Sequence, residues 1–191
     1  KGWLRGLNAA QREAVTSLDG PLLVLSGAGT GKTRVLTSRL AELLANGRAK
    51  PWNVLAVTFT NKASREMKSR VVELVGPAAE QIWLGTFHSI GARMLRLHAN
   101  LVGLKPDFTI IDTGDQARII KQLIENENID PKRWPVPLLV GVISRWKDQG
   151  LCPKNLTSID CGDIADGRIH RLYKNYQDRL INLNAADFGD L

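Results

Sequence analysis

The chain has 191 residues, enough for one large domain or two small ones with a substantial core. No apolar stretch approaches the roughly 20 residues that a membrane-spanning helix needs, so we expect no contact with a membrane. The net charge of +7 is concentrated in residues 1–90, which contain 12 Lys and Arg against 6 Asp and Glu, and a basic surface favours nucleic acid only when particular residues support that interpretation.

The first local signal is a helix start. Asn8 is followed three residues later by Gln11, which is the form of a capping box. Capping alone can account for both residues, so Gln11 does not indicate a ligand without further support.

A glycine-rich turn follows the apolar run from Pro21 to Leu25 and opens a helical pattern. It reads Ser26-Gly27-Ala28-Gly29-Thr30-Gly31-Lys32-Thr33, close to the Walker A pattern G-x-x-x-x-G-K-[ST], with Ser26 in place of the first glycine. Glycines let successive N–H groups point at one anion, and the helix adds its positive dipole end. We therefore predict a P-loop that binds a nucleoside triphosphate, with Lys32 at the β/γ-phosphates and Thr33 at Mg²⁺. A glycine-rich turn without a ligand is the alternative.

Residues 1–90 alternate apolar runs with helical patterns in the order βαβαβ. This order predicts an α/β fold with a parallel, doubly wound sheet that binds ligands at the carboxyl ends of its strands. The predicted strands are Leu22–Leu25, Val54–Thr58 and Ile82–Thr86, and the predicted helices are Lys32–Ala45, Asn61–Val75 and one from about Ser89.

Two of these strands end in similar polar and aromatic clusters. Thr58-Phe59-Thr60-Asn61 follows one strand, and Gly85-Thr86-Phe87-His88 follows the next. Hydroxyls and helix N-termini can hold phosphates, and a phenylalanine face can stack a base of a single strand. The alternative is structural: Thr60 or Asn61 caps one helix and Thr86 caps the other, and both phenylalanines are buried between strand and helix.

Residues 91–191 read as a mostly helical second domain. Asp112 or Thr113 can cap a helix through Ile124, and the apolar positions from Val140 to Trp146 fit another. Cys152 and Cys161 have no companions for a zinc site, so reduced thiols in a cytoplasmic protein are expected. The acidic residues at 160, 163 and 166 lack the spacing of a calcium loop and indicate a solvated turn.

Taken together and in this order, the motifs resemble the N-terminal portion of superfamily 1 DNA helicases of the UvrD/Rep/PcrA group. The similarity continues more loosely through Phe108–Asp112 and Ala186–Leu191. It implies that residues 1–90 are the first part of a RecA-like motor domain and that residues 91–191 are a helical insertion. It also implies ATP and Mg²⁺ as cofactors, single-stranded and junction DNA as partners, and further motor domains that complete the sheet.

The resemblance assigns roles to individual residues. Gln11 would read the adenine, Arg34 would pack on its face, and the P-loop would hold the phosphates. Single-stranded DNA would contact Thr58, Phe59, Thr60, Asn61, Gly85, Thr86, Phe87 and His88. The acidic metal motif and the arginines needed for hydrolysis would follow Leu191, so we expect the isolated chain to bind nucleotide weakly, to turn over little and to self-associate through exposed apolar surface.

The leading hypothesis is therefore the N-terminal portion of an ATP-dependent DNA helicase that couples ATP hydrolysis to translocation and unwinding, with DNA repair among its roles. A non-hydrolysing, nucleotide-dependent DNA-binding module is the main alternative. A phosphotransferase that acts on a small molecule is the third, and it needs a P-loop but no DNA groove.

Overall fold

The structure is a computed structural model that describes the whole chain except the side chains of residues 158 and 159. Residues Lys1–Ile90 and Gly91–Leu191 form two units, and each is described by itself. In the part of the chain that is described, no helix has both the length and the apolarity needed to cross a membrane.

The first unit places helices around a small parallel sheet. Its elements are α1 (Ala9–Thr16), α2 (Lys32–Ala45), β1 (Leu55–Thr58), α3 (Asn61–Val75), β2 (Trp83–Thr86) and the start of α4 (Phe87–Leu97), with 3-10 turns at Gly2–Leu4, Pro51–Asn53 and Pro77–Gln81. Strands β1 and β2 pair in parallel, with Thr58 opposite Thr86. The α/β class with a parallel sheet is confirmed, and α2 and α3 have the predicted bounds.

The predicted first strand, Leu22–Leu25, is not a strand in this structure. Its residues have no regular secondary structure, and Leu23 and Leu25 are 81% and 85% exposed. A strand forms only when a neighbour accepts its backbone hydrogen bonds, and β1 and β2 pair with each other instead. Apolar periodicity in the sequence identifies a segment that suits a sheet, but it does not supply the neighbouring strand.

Glu42 anchors the N-terminal segment to α2. Its carboxylate accepts hydrogen bonds from Lys1 Nζ at 2.7 Å, Trp3 Nε1 at 2.7 Å and Asn46 Nδ2 at 2.8 Å. Burial raises the pKa of Glu42, but these hydrogen bonds and the charge of Lys1 outweigh it, so the pKa lies below its ordinary value of 4.5. The carboxylate is therefore charged and paired in the folded unit.

The second unit is mostly helical, as predicted for these residues. It contains the C-terminal part of α4, then β3 (Thr109–Ile110), α5 (Thr113–Asn126), α6 (Val136–Asp148), α7 (Ser158–Cys161), α8 (Ile169–Asn182) and β4 (Ala185–Ala186), with 3-10 turns at Ala99–Val102, Pro153–Asn155 and Phe188–Asp190. Strands β3 and β4 pair in parallel, and Asp112 caps α5 by accepting from Asp115 N at 2.8 Å. The core is formed by side chains of α5, α6 and α8, including Ile120, Ile143 and Leu172.

A buried ionic network ties α6 to the final turn of the second unit. Lys147 Nζ, on a side chain only 3% exposed, donates to Asp187 Oδ2 at 2.7 Å and to Asp190 Oδ1 at 2.8 Å. Tyr176 Oη also donates to Asp187 Oδ2, at 2.7 Å, and both burial and this bond raise the pKa of Tyr176. The tyrosine therefore stays protonated and acts as a donor to the carboxylate.

Candidate functional site

The predicted P-loop forms an exposed turn that leads directly into α2. Two of its glycines adopt left-handed backbone, with φ of +75° at Gly29 and +84° at Gly31, the residue that precedes the helix. The hydroxyl of Thr30 donates to the Gly27 carbonyl at 2.8 Å and closes the turn. The loop thus has the conformation that only glycine adopts without strain at these positions.

Lys32 folds back over this loop. Its ammonium donates to the carbonyl oxygens of Gly27 at 2.6 Å and of Ser26 at 3.1 Å. The residue is exposed, and its positive charge lies against the loop, where an anionic polyphosphate would meet it.

The beginning of α2 adds backbone donors next to this charge. The first intrahelical hydrogen bond runs from Val35 N to Gly31 O at 3.0 Å, so the earlier amides point out of the helix end. Thr33, the second residue of the helix, is exposed. An ammonium, helix-end amides and a hydroxyl form a donor set that fits a magnesium-bound triphosphate.

Gln11 is both a helix cap and a neighbour of the P-loop. Its Oε1 accepts from Asn8 N at 3.0 Å and its backbone N donates to Asn8 Oδ1 at 2.8 Å, so the predicted capping box is confirmed. Its Nε2 also donates to the carbonyl of Thr30 at 2.9 Å. Since an amide oxygen accepts two hydrogen bonds and an amide nitrogen donates two, one position on each atom is left for a ligand.

Arg34 lies on the outer side of α2 against the N-terminal segment. Its Nη2 donates to the carbonyl of Arg5 at 2.6 Å, and a Cβ on Gly6 would lie only 3.1 Å from the same atom. The guanidinium is therefore held in one place while the residue stays exposed. Its proposed packing on an adenine stays a prediction.

The two phenylalanines of the strand ends form a pair. Because Thr58 and Thr86 are opposite each other in the parallel sheet, Phe59 and Phe87 follow at adjacent positions. Their ring centroids lie 5.8 Å apart with planes tilted by 55°, and they are 92% and 56% exposed. The alternative in which both rings are buried between strand and helix is wrong.

The threonines of the strand ends do act as helix caps. Thr60 Oγ1 accepts from Ala63 N at 3.1 Å at the start of α3, and Thr86 Oγ1 accepts from Ser89 N at 3.2 Å in α4. Thr58 Oγ1 donates to the Thr60 carbonyl at 3.1 Å. Thr60 and Thr86 are therefore helix caps, as the structural alternative predicted. The exposed residues Asn61 and His88, which follow them in the chain, stay candidates for DNA contact.

Gly85 allows α4 to approach β2 closely. A Cβ at this position would lie 2.5 Å from Ser89 Oγ and 3.2 Å from Ile90 Cδ1. The glycine is buried, so its role in the structure is close packing of β2 against Ser89 and Ile90 of α4.

One residue of α2 that the sequence pattern did not single out contacts α1. Arg39 donates from Nη1 to the carbonyl of Ala14 at 2.7 Å and also to that of Ser17. A signal was present, because position 39 follows the buried Val35 by four residues and thus lies on the same face of α2.

Comparison with known proteins finds similarity along nearly the whole chain. The family model for the UvrD/REP helicase N-terminal domain matches residues 7–191. The ATP-dependent DNA helicase PcrA of Bacillus subtilis strain 168 is 45% identical over 188 residues, which cover 98% of this chain and 25% of that protein. PcrA of Staphylococcus aureus strain NCTC 8325 is 46% identical over 188 residues, which cover 98% of this chain and 26% of that protein. The chain therefore spans about a quarter of the length of these curated relatives.

Proposed function

Because the chain belongs to the UvrD/REP helicase family, we propose that it supplies the ATP-binding and single-strand-binding surfaces of an ATP-dependent DNA helicase. In a protein as long as its relatives, ATP hydrolysis would be coupled to translocation along single-stranded DNA and to unwinding. We assign residues 1–90 to the first part of a RecA-like motor domain and residues 91–191 to a helical insertion. The apolar run Leu22–Leu25 would then pair inside a larger sheet.

The observation that carries this proposal is the position of Lys32 over the glycine turn. The ammonium contacts two carbonyls of the loop, at 2.6 and 3.1 Å, beside the N-terminal end of α2. A triphosphate that replaces these contacts would receive a charge-assisted hydrogen bond from Lys32 and further bonds from the helix-end amides. Lys32 thereby neutralises charge on the β- and γ-phosphates.

Thr33 is the residue that we propose to hold the metal. A bound Mg²⁺ would supply positive charge that offsets the negative charge of the phosphates. The hydroxyl of Thr33 lies one residue after Lys32 on the exposed first turn of α2, so it would orient the metal next to the lysine.

Gln11 and Arg34 form the proposed base site. Gln11 keeps one free donor position on Nε2 and one free acceptor position on Oε1, which together match the edge of an adenine. Arg34 is fixed to the carbonyl of Arg5 and can offer the planar face of its guanidinium to a base. The contact from Gln11 to Thr30 also links the base site to the P-loop.

The pair Phe59 and Phe87 is the proposed single-strand platform. Exposed aromatic faces stack bases irrespective of sequence, which is what a protein that moves along DNA requires. Asn61 and His88 are exposed residues of the first turns of α3 and α4, which follow the two strands. Contacts with junction DNA, self-association and a cytoplasmic location stay predictions.

A chimera tests the proposal. The chain replaces the matching quarter of Bacillus subtilis PcrA, and ATP hydrolysis is measured with and without oligo(dT). We expect stimulation by the oligonucleotide and a loss of about 100-fold for Lys32→Ala, since a cation aimed at transition-state charge is removed. Lys50→Ala, which removes an exposed lysine of the same unit, should stay within about twofold.

Two results would contradict the proposal. A chimera that binds ATP and DNA but does not hydrolyse ATP supports the non-hydrolysing module instead. Hydrolysis that the oligonucleotide leaves unchanged rejects the single-strand platform and favours action on a small molecule.

A further inference from the structure

Helix α1 carries Gln11 but has little to hold it in place. It has only eight residues, and its buried side chains are Ala14 and Val15, which contact Leu7 and Val35. A helix this short is marginal in water without tertiary contacts. The orientation of Gln11 therefore depends on what fixes the two ends of α1.

Arg39 fixes the C-terminal end. Its guanidinium donates to the carbonyls of Ala14 and Ser17, where the last carbonyls of α1 have no partner within the helix. A cation at this end also interacts favourably with the helix dipole. Arg39 is thus the polar contact that holds the end of α1 against α2.

The N-terminal end of α1 meets the P-loop through Gln11, whose Nε2 donates to Thr30 O at 2.9 Å. The fit is close, because a Cβ on Gly31 would lie 3.1 Å from that same nitrogen. Helix α1 therefore contacts two points on and next to α2. One is the glycine loop before Lys32, the first residue of α2, and the other is Arg39, seven residues further along that helix.

From these contacts we propose that Arg39 is a positioning residue for base selection: it fixes α1 so that the amide of Gln11 faces the nucleotide. This inference rests on the proposed function, because it assumes an ATP site at the P-loop. Lys32 and Thr33 belong to α2 itself, so the phosphate site does not depend on Arg39. Loss of Arg39 should then weaken recognition of the base and leave phosphate binding intact.

The test compares two nucleotides on the 191-residue chain. ATP offers a 6-amino group to Gln11, and purine riboside triphosphate lacks it. We expect the wild type to bind ATP about fivefold more tightly, and Arg39→Met to lose that preference while its affinity for purine riboside triphosphate stays within about twofold. Arg39→Lys keeps the positive charge but loses the planar guanidinium that contacts two carbonyls, so it should retain part of the preference for ATP.

Two controls separate positioning from stability. Arg48→Met removes an arginine that pairs with the exposed Asp19 at 3.3 Å after the end of α2, and it should keep the preference for ATP. In a double-mutant cycle, Arg39→Met should add no further loss of ATP affinity to Gln11→Ala, because it acts through Gln11. Hydrogen exchange of residues 9–16 should rise in Arg39→Met while the first turn of α2 stays protected.

Four outcomes would overturn the inference. Equal weakening of both nucleotides in Arg39→Met shows a structural role alone, and additive losses in the cycle show that Arg39 does not act through Gln11. A wild type that binds both nucleotides equally rejects base selection at Gln11 but leaves the proposed function standing. Only a wild type that binds neither nucleotide contradicts the proposed function as well.

Discussion

Phe59 and Phe87 contact each other on the exposed surface, with ring centroids 5.8 Å apart at the ends of two paired strands. Phenylalanine is among the residues most often buried, and contiguous exposed apolar surface can mark an interaction site. The parallel pairing of β1 and β2 brings together two rings that are 28 residues apart in the chain. The exposed pair is the surface on which the proposed DNA contact depends.

Removal of the Phe59 ring should weaken single-strand binding. Base stacking on an aromatic contributes about 1–3 kcal/mol, so Phe59→Ala should lower the affinity for oligo(dT) about tenfold, and Phe59→Trp should retain it. Fluorescence anisotropy with labelled oligonucleotide measures the change. Trp52→Ala removes another exposed aromatic, in the turn Pro51–Asn53, and an equal loss in that variant would show that the rings act only as non-specific apolar surface.

Gly31→Ala should impair nucleotide binding beyond its effect on stability. Residue 31 has φ of +84° and its Cβ would meet Gln11 Nε2 at 3.1 Å, whereas Gly47 has φ of +66° with open space around it. Either alanine should cost about 1 kcal/mol of folding stability through backbone strain. Only Gly31→Ala should lower ATP affinity, by about tenfold, in isothermal titration. Equal affinity of the two variants for ATP would argue against a tight P-loop.

Stability should depend on the charge of Glu42 at low pH. The pKa of this group is depressed in the folded state. Its charged form therefore stabilises the fold above about pH 4.5, the ordinary pKa, and this stabilisation is lost as the pH falls through the folded pKa. At pH 7, Glu42→Gln should reduce the free energy of unfolding by about 1–2 kcal/mol, and the difference from wild type should shrink below pH 4.5.

Urea unfolding from pH 3 to pH 7 measures this effect. Glu66→Gln, in an exposed residue of α3, serves as the control and should differ little from wild type at any of these pH values. A deficit of Glu42→Gln that stays constant across the range would show that the carboxylate charge does not matter.

Lys147→Met should strongly destabilise the second unit. It leaves the carboxylates of Asp187 and Asp190, 4% and 20% exposed, without their buried cation, which typically costs about 3–5 kcal/mol. Lys174→Met, which breaks an exposed pair with Asp178, should cost less than about 0.5 kcal/mol. Thermal unfolding compares them, and a similar melting temperature for the two variants would contradict a stabilising role of the network.

The sequence by itself determined the local structure. The bounds of α2 and α3 and the capping box of Asn8 and Gln11 follow from hydrogen bonds and apolar spacing within a few residues. The sequence also predicted a cap for α5 at Asp112 or Thr113, and the structure assigns it to Asp112. The glycine pattern likewise predicted the turn before α2, because positive φ at a turn is a property of single residues. The motif order was sufficient to identify the family, which the match over residues 7–191 confirms.

Only the tertiary structure decided which of these pieces meet. It joined Gln11 to Thr30, Arg39 to the end of α1, and Lys147 to Asp187, 40 residues away. It also left Leu22–Leu25 without a strand partner, although its apolar pattern suits a sheet. The physical reason is that helices and turns are closed by hydrogen bonds between near neighbours, whereas strand pairs, buried ion pairs and side-chain contacts between elements depend on residues that are distant in the sequence.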